Sequence, residues 1–263
     1  MKRTVGFIFS MMLTTLACGQ IRLTKLVVQP KQTYEIKEGD ILVIDTLVML
    51  DSSRILLNKL KSENFLHLKK LIFGQGCFID GKGVLGLRGR NGRIGTTSSG
   101  PCSTGGRGTM GTDGTNGANG VNLFISCADI AWSGTLTIDV SGGDAGDGGT
   151  GGLGGGGGSG TRLCTGGTGG NGGAGSNGGN GGNSGNVIFN APSIPELRSM
   201  LGERIIVRNY GGNLGSPGEG GGGGYSGLSP TGNSKLDGKT GKKGLRGKEG
   251  IKGRPGAITF QDK

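Results

Sequence analysis

The sequence predicts an all-β fold in which a core of short strands, a solenoid or a sandwich, carries three glycine-rich excursions of polyproline II or polyglycine II type packed as a bundle. The first observation is composition, because 64 of the 263 residues are glycine and only 5% are aromatic. The second is a glycine at every third position, and the third is a strand, excursion and strand plan that occurs three times. With 32% hydrophobic residues, an ordinary core cannot serve the whole chain.

The glycine period is clearest between Gly142 and Asn186. Glycine stands at positions 143, 146, 149, 152, 155 and 158, and again at 166, 169, 172, 175, 178 and 181. A polyproline II helix has three residues per turn, so this spacing leaves one edge of the helix bare. In Gly169-Gly170-Asn171-Gly172-Gly173 two of the three edges are bare, which favours helices packed side by side.

Residues 1–20 have the pattern of an export signal. Lys2 and Arg3 precede the apolar run 5–16, and small residues follow around Cys18. The run is too short to remain as a membrane span. We therefore expect an exported protein, extracellular or on the outer cell surface, without a transmembrane segment after removal of the signal.

Two processing sites compete at the end of this signal. Cleavage before Gln20 would release a secreted chain, whereas Leu16-Ala17-Cys18 resembles a bacterial lipobox that would leave Cys18 acylated. Thr15 occupies a position where an aliphatic residue is usual. A soluble secreted protein and a lipid-anchored one are both open alternatives.

Residues 21–80 form a predicted N-terminal β region, because short β-prone runs alternate with turn residues such as Glu38-Gly39-Asp40. The runs are 26–28, 34–36, 41–44, 47–50, 54–57, 71–73 and 77–79, whereas the segment 60–66 has no clear pattern. Many short strands without a helical period indicate an all-β unit.

Residues 81–263 are predicted to hold the three repeats, which extend over about 77–130, 135–190 and 204–260. Outgoing strands are expected at 78–80, 136–140 and 205–209, and returning strands at 120–124, 185–189 and 256–260. The strands should stack into one core, and the excursions should leave it together. A polyproline II helix has no internal hydrogen bonds, so the amides should bond between neighbouring arms.

Four cysteines beyond the signal predict two disulfides in an oxidising compartment. They are Cys77, Cys102, Cys127 and Cys164, and their spacing leaves three pairings open. Cys102 and Cys164 fall near the far turns of the first two excursions, which favours a bond that pins two arms together. Cys77 and Cys127 flank the first excursion on strands and would then form the second pair.

One short helix is predicted over residues 193–201. Ser193 is a candidate cap, Pro195 stands near the first turn, and Gly202 ends the pattern. This segment lies between the second and third excursions. We expect it to pack beside the strands.

The sequence predicts no catalytic residue, no metal site and no cofactor, and therefore no enzymatic activity. His67 is the single histidine and stands in a strand-like context. Asp144 and Asp147 lie among glycines, but the order typical of calcium-binding nonapeptides is absent. Trp132 is expected to pack between strands.

The last excursion differs because it is strongly basic. From Gly238 to Gly256 the pattern is strictly Gly-x-y, as in bacterial collagen-like sequence. Its basic residues are Lys239, Lys242, Lys243, Arg246, Lys248, Lys252 and Arg254. They predict binding of an anionic partner, such as anionic glycans or an envelope surface, without a specific nucleic acid; the alternative is that they only keep an outer arm soluble.

Over residues 81–260 the chain resembles bacterial glycine-rich and collagen-like surface proteins, and its pattern is similar to the polyglycine II tips of tailed-phage adhesins. The resemblance implies a rigid, extended module with contacts in the distal loops, here 98–104, 159–165 and 225–233. We expect a secreted or surface-anchored, non-enzymatic structural or adhesive protein. The alternatives are a carbohydrate-active β-solenoid enzyme and an ice-binding bundle, for which Thr109, Thr112 and Thr115 form a short row.

Overall fold

The computed structural model describes residues 20–37, 39–192 and 194–262. The predicted signal, including the lipidation candidate Cys18, lies outside these residues. The elements within them are β1 (Gln20–Val28), β2 (Thr33–Glu35), β3 (Ile41–Met49), β4 (Arg54–Leu56), β5 (Glu63–Phe73), β6 (Cys77–Asp80), β7 (Asn122–Trp132), β8 (Leu136–Asp139), β9 (Val187–Ala191), α1 (Ile194–Met200), β10 (Ile205–Arg208), the 3-10 helix η1 (Ser234–Leu236) and β11 (Ile258–Asp262).

The described strands form two parallel sheets, which confirms the all-β class. The first sheet has the order β1-β3-β5-β7-β9-β11, and the second has the order β10-β8-β6-β4-β2. Odd strands therefore belong to one sheet and even strands to the other. The chain passes from sheet to sheet and advances by one strand each time.

The core lies between the sheets, where side chains stack in register. In the first sheet Val28 pairs with Met49, and Met49 pairs with Phe73. All three are at most 4% exposed. In the second sheet Ile55 and Ile79 pair in the same way. Burying such a side chain contributes about 1.5–3 kcal/mol, so these columns stabilise the strand region.

The three excursions leave from the ends of β6, β8 and β10 and return into β7, β9 and β11. Parallel strands end at the same edge of a sheet, so the excursions leave side by side. We call their first halves outgoing arms 1, 2 and 3 (residues 81–98, 141–160 and 209–228). Their second halves are returning arms 1, 2 and 3 (residues 103–121, 165–186 and 238–257).

The arms form two hydrogen-bonded layers. In the outgoing layer, Gly86 N–H donates to Asp144 O at 2.7 Å, and Ala145 N–H donates to Asn213 O at 2.9 Å. The returning layer repeats this pattern, with Gly111 N–H to Ala174 O at 3.1 Å. Further bonds every third residue join the layers. The predicted bonding between arms is therefore present.

Glycine content sets how many neighbours an arm can have. In returning arm 2 a Cβ on Gly172 would collide with the carbonyl oxygen of Gly221, and one on Gly173 with that of Thr109. Both positions must be glycine. Outgoing arm 1 and returning arm 3 have fewer neighbours and keep glycine at about one position in three, and side chains such as Leu87 occupy the free edge. The bundle therefore ends at six arms within the described residues.

Helix α1 spans Ile194–Met200 and buries Leu197 and Met200. It confirms the predicted helix, although the candidate cap Ser193 lies outside the described residues. Gly202 adopts a φ of 87° just after the helix, a left-handed conformation that glycine tolerates. No helix in the described parts of the chain has the length and apolar composition needed to cross a membrane.

Candidate functional site

The outer surface of the three returning arms, which we call the return face, is a grid of side chains. In each turn of returning arms 1 and 2, two residues donate their N–H groups to carbonyls of other arms, and the third residue lies at the surface. In returning arm 3 one glycine per turn donates to a carbonyl of another arm. The surface positions are Arg107, Met110, Asp113, Asn116 and Asn119 on returning arm 1, Asn171, Ala174, Asn177, Asn180 and Asn183 on returning arm 2, and Lys242, Leu245, Lys248, Ile251 and Arg254 on returning arm 3.

Side-chain oxygens bind the surface N–H groups that have no carbonyl partner. Asn180 N–H donates to Asn116 Oδ1 at 2.7 Å, and Ile251 N–H donates to Asn180 Oδ1 at 2.8 Å. The same bond is made by the Oδ1 atoms of Asp113, Asn119, Asn171, Asn177 and Asn183. Asparagine and aspartate therefore complete the backbone hydrogen bonding of the next arm.

These bonds determine which hydrogen-bonding groups the return face presents to solvent. The asparagine Oδ1 atoms point toward the neighbouring backbone, and the Nδ2 groups of Asn171, Asn177, Asn180 and Asn183 have no protein acceptor among the described residues. An amide group can donate two hydrogen bonds. The middle of the return face therefore presents donors to solvent.

The seven predicted basic residues all lie exposed on returning arm 3. Four of them, Lys239, Lys242, Lys248 and Arg254, form a column on the return face. The other three, Lys243, Arg246 and Lys252, form a second column on the outer edge of the bundle. Residues three apart on such an arm lie about 9 Å apart.

Returning arm 3 is held along its length by outgoing arm 3. Gly241, Gly244 and Gly247 donate to carbonyls of outgoing arm 3 at 2.8–3.0 Å. Arg246 Nε lies 2.8 Å from Glu219 Oε1, which is the single ion pair found for these seven residues in the described chain. The other basic side chains are available to a partner.

Charge is distributed unevenly between the two faces of the bundle. Between Gly238 and Gly256 there are seven basic residues and one acidic residue, a net +6 of the chain's +11. The surface of the outgoing layer holds Asp144, Asp147 and Glu219, but outgoing arm 1 also exposes Arg88, Arg90 and Arg93. The largest net positive charge of any arm therefore lies on returning arm 3, whereas acidic and basic residues are mixed on the outgoing layer.

The three distal loops, 98–104, 159–165 and 225–233, meet at the far end of the bundle. Cys102 N–H donates to Ser159 O at 2.8 Å, and Gly160 N–H donates to Leu228 O at 2.9 Å. Cys102 and Cys164 form a disulfide with a Cα–Cα distance of 6.2 Å. The predicted bond between the first two excursions is present.

The predicted disulfide between Cys77 and Cys127 is wrong. Cys77 begins β6 in the second sheet, and its thiol donates to the carbonyls of Met49 and Leu50 at 3.4 and 3.3 Å. Cys127 lies in β7 of the first sheet, where its Sγ is 3.1 Å from Asp129 O. Burial raises the pKa of the Cys77 thiol, so this group stays protonated in the core.

The threonine row stabilises the edge of the bundle. Thr109, Thr112 and Thr115 accept hydrogen bonds through Oγ1 from the backbone N–H groups of outgoing arm 1 at 2.6–2.7 Å. Asp144 and Asp147 have the same role toward outgoing arm 3. In the described residues no group of three or more histidine, cysteine or acidic side chains could hold a metal.

Two further residues singled out in the sequence, His67 and Trp132, lie on the strand region. His67 is exposed on β5, with its ring stacked on Phe65 at 6.4 Å between centroids. Trp132 was expected to pack, but it is 42% exposed. It lines an open cavity of about 570 Å³ together with Met200, Glu203 and Arg204.

No protein-family model and no curated protein matches this sequence. Among solved structures, the chain has a weak likeness to the nine polyproline type II helical bundle springtail antifreeze protein from Granisotoma rainieri. The two chains are 24% identical, the match covers 65% of this chain and 94% of that chain, and the TM-score is 0.10. A TM-score of this size carries no argument about shared fold or function.

Proposed function

We propose that this protein is an exported, non-enzymatic adhesive module that binds anionic glycans through returning arm 3. The observation that supports this most is a column of exposed lysines and arginines on an arm bonded to its neighbours at every third residue. We interpret the strand region as a β-solenoid and the arms as a polyglycine II bundle. In this interpretation the solenoid is the base and the bundle is the rigid binding rod.

Rigidity makes the basic arm a better ligand site than a flexible basic tail. A free glycine-rich segment would lose about 1–2 kcal/mol of backbone entropy per residue on being ordered by a ligand. Returning arm 3 is ordered before binding, because Gly238 and the glycines at every third position after it donate to outgoing arm 3. Pre-organisation reduces the cost of binding.

Solubility alone is a weaker explanation of the basic residues. Acidic residues increase solubility more effectively than basic ones. Returning arm 3 nevertheless has seven basic residues and only Glu249 as an acidic one. A uniform sign of charge favours a partner of the opposite sign.

The ice-binding alternative has less support. It depends on a regular row of threonine or alanine on a free face. The hydroxyl oxygens of Thr109, Thr112 and Thr115 instead accept backbone N–H groups of outgoing arm 1. This row therefore has a structural role within the bundle.

The proposal is tested by measuring binding to immobilised polygalacturonate and heparin at low and high salt. We expect salt-sensitive binding, and the charge reversals Lys242→Glu, Lys243→Glu and Arg246→Glu together should reduce affinity by about tenfold or more. A matched triple variant on the strand region, Arg22→Glu, Lys25→Glu and Lys61→Glu, should change it little. Absence of salt-sensitive binding by the unmodified protein would overturn the proposal.

A further inference from the structure

Amide and cationic side chains are paired across the return face. Lys242 N–H donates to Asn171 Oδ1 at 2.8 Å, Lys248 N–H to Asn177 Oδ1 at 2.8 Å, and Arg254 N–H to Asn183 Oδ1 at 2.9 Å. Each bond fixes an asparagine beside a basic residue on the next arm. The result is three similar pairs along the bundle, each combining a free amide donor with a positive charge.

The asparagine column of returning arm 2 and the basic column of returning arm 3 together favour a ligand rich in hydrogen-bond acceptors and negative charge. The asparagine oxygens are already occupied by the neighbouring backbone, so the Nδ2 groups remain to bind. Charge-assisted bonds from lysine and arginine to carboxylate or sulfate are stronger than neutral ones. Sugar hydroxyl and ring oxygens are natural acceptors for the amide groups.

The same face is poorly suited to nucleic acid or membrane. Single-stranded nucleic acid binds on aromatic side chains that stack with bases, and the surface positions of the returning arms have no aromatic residue. Membrane binding needs a continuous apolar face. Here Met110, Ala174 and Leu245 form one apolar row across the face, bounded on both sides by amide and charged residues.

We propose that the ligand is a linear polysaccharide bearing carboxylate or sulfate groups, which lies along the return face over the asparagine column of returning arm 2 and the basic column of returning arm 3. This inference rests on the proposed function and makes it specific to one face. The apolar row at Ala174 provides a contact for the C–H surface of a sugar ring. The outgoing face instead mixes Asp144 and Asp147 with Arg88, so it has no column of uniform positive charge for the same ligand.

The asparagine column can be tested without disturbing the bundle. In Asn177→Asp with Asn183→Asp the oxygen that accepts the neighbouring N–H remains, as Asp113 and Asp144 already show at equivalent positions. The change removes two amide donors and adds two negative charges. We expect affinity for polygalacturonate to fall by about tenfold, with an unchanged melting temperature.

The matched control makes the same chemical change on the other face. Asn91 accepts the N–H of Thr150 on the outgoing layer at 3.0 Å, and Asn213 lies on the same face. Asn91→Asp with Asn213→Asp should leave affinity within about twofold of the unmodified protein. An equal loss in both variants would overturn the one-face proposal.

Two charge-reversal variants separate this inference from the proposed function. Lys242→Glu with Lys248→Glu changes the return face, and Lys243→Glu with Lys252→Glu changes the outer edge. A clearly larger loss for the first pair supports the inference. Equal losses overturn it and leave the proposed function intact, whereas salt-insensitive binding removes both. Tighter binding to phosphatidylserine vesicles than to polygalacturonate would overturn the ligand class.

Discussion

Replacing Gly152 with alanine is expected to reduce the free energy of unfolding by about 3 kcal/mol or more. A Cβ at this position would collide with the carbonyl oxygen and carbon of Arg93 on outgoing arm 1. Gly152 also donates to Thr109 O at 2.9 Å and accepts from Gly173 N–H at 2.8 Å. Neighbouring backbone surrounds the site, so no flexible side chain can move aside. Thermal and denaturant unfolding followed by circular dichroism measures the effect.

Gly222→Ala is the matched control on the surface of the same layer. Its Cβ would lie 3.4 Å from Leu153 Cδ2, an ordinary contact. We expect the free energy of unfolding to stay the same or to rise by about 0.4–1 kcal/mol, because alanine restricts the unfolded chain. Equal effects of the two substitutions would mean that the arms do not pack as described.

Removing the disulfide should have the second large effect. Cys102 and Cys164 are 62 residues apart, so their bond closes a long loop of glycine-rich chain. Loop-closure entropy gives a loss of about 4 kcal/mol for the double variant Cys102→Ser with Cys164→Ser. The excursions have few large side chains to replace this constraint.

Reduction of the unmodified protein is the internal control for this prediction. A reductant should lower its melting temperature to that of the double serine variant and leave the variant unchanged. If the double serine variant had the same melting temperature as the unmodified protein, the hydrogen bonds between arms alone would be shown to hold the distal loops together.

The sequence was sufficient to predict the strands that bound the excursions. Glycine-rich runs end close to where β-prone residues begin, but the returning strands start two residues later than predicted, at Asn122, Val187 and Ile258. The Cys102–Cys164 disulfide followed from the position of both residues near the far turns. The periodic pattern also placed the seven basic residues on a single arm.

The predicted Cys77–Cys127 disulfide is wrong because the strand before an excursion and the strand after it lie in different sheets. β6 belongs to the second sheet and β7 to the first, so flanking the same excursion does not bring two residues together. Sheet membership is a long-range property. It depends on which distant strand each strand pairs with, and the local residue pattern does not reveal this.

The asparagine bonds were missed although their spacing is visible in the sequence. Asparagine recurs at 177, 180, 183 and 186, but its role depends on the register between arms. Asn116 and Asn180 are separated by 64 residues, and Asn180 and Ile251 by 71. These offsets come from the lengths of the excursions. The division of the basic residues into a face column and an edge column depends on the same register.

Amide hydrogen exchange of returning arm 3, resolved by residue with NMR, tests most directly whether the basic arm is held rigid by its neighbour. Gly241, Gly244 and Gly247 donate to outgoing arm 3, so their amides should exchange slowly. The amides of Lys243 and Arg246 have no acceptor among the described residues and should exchange fast. This three-residue alternation is the predicted result; uniform exchange at the rate of a free peptide along residues 238–257 would contradict it.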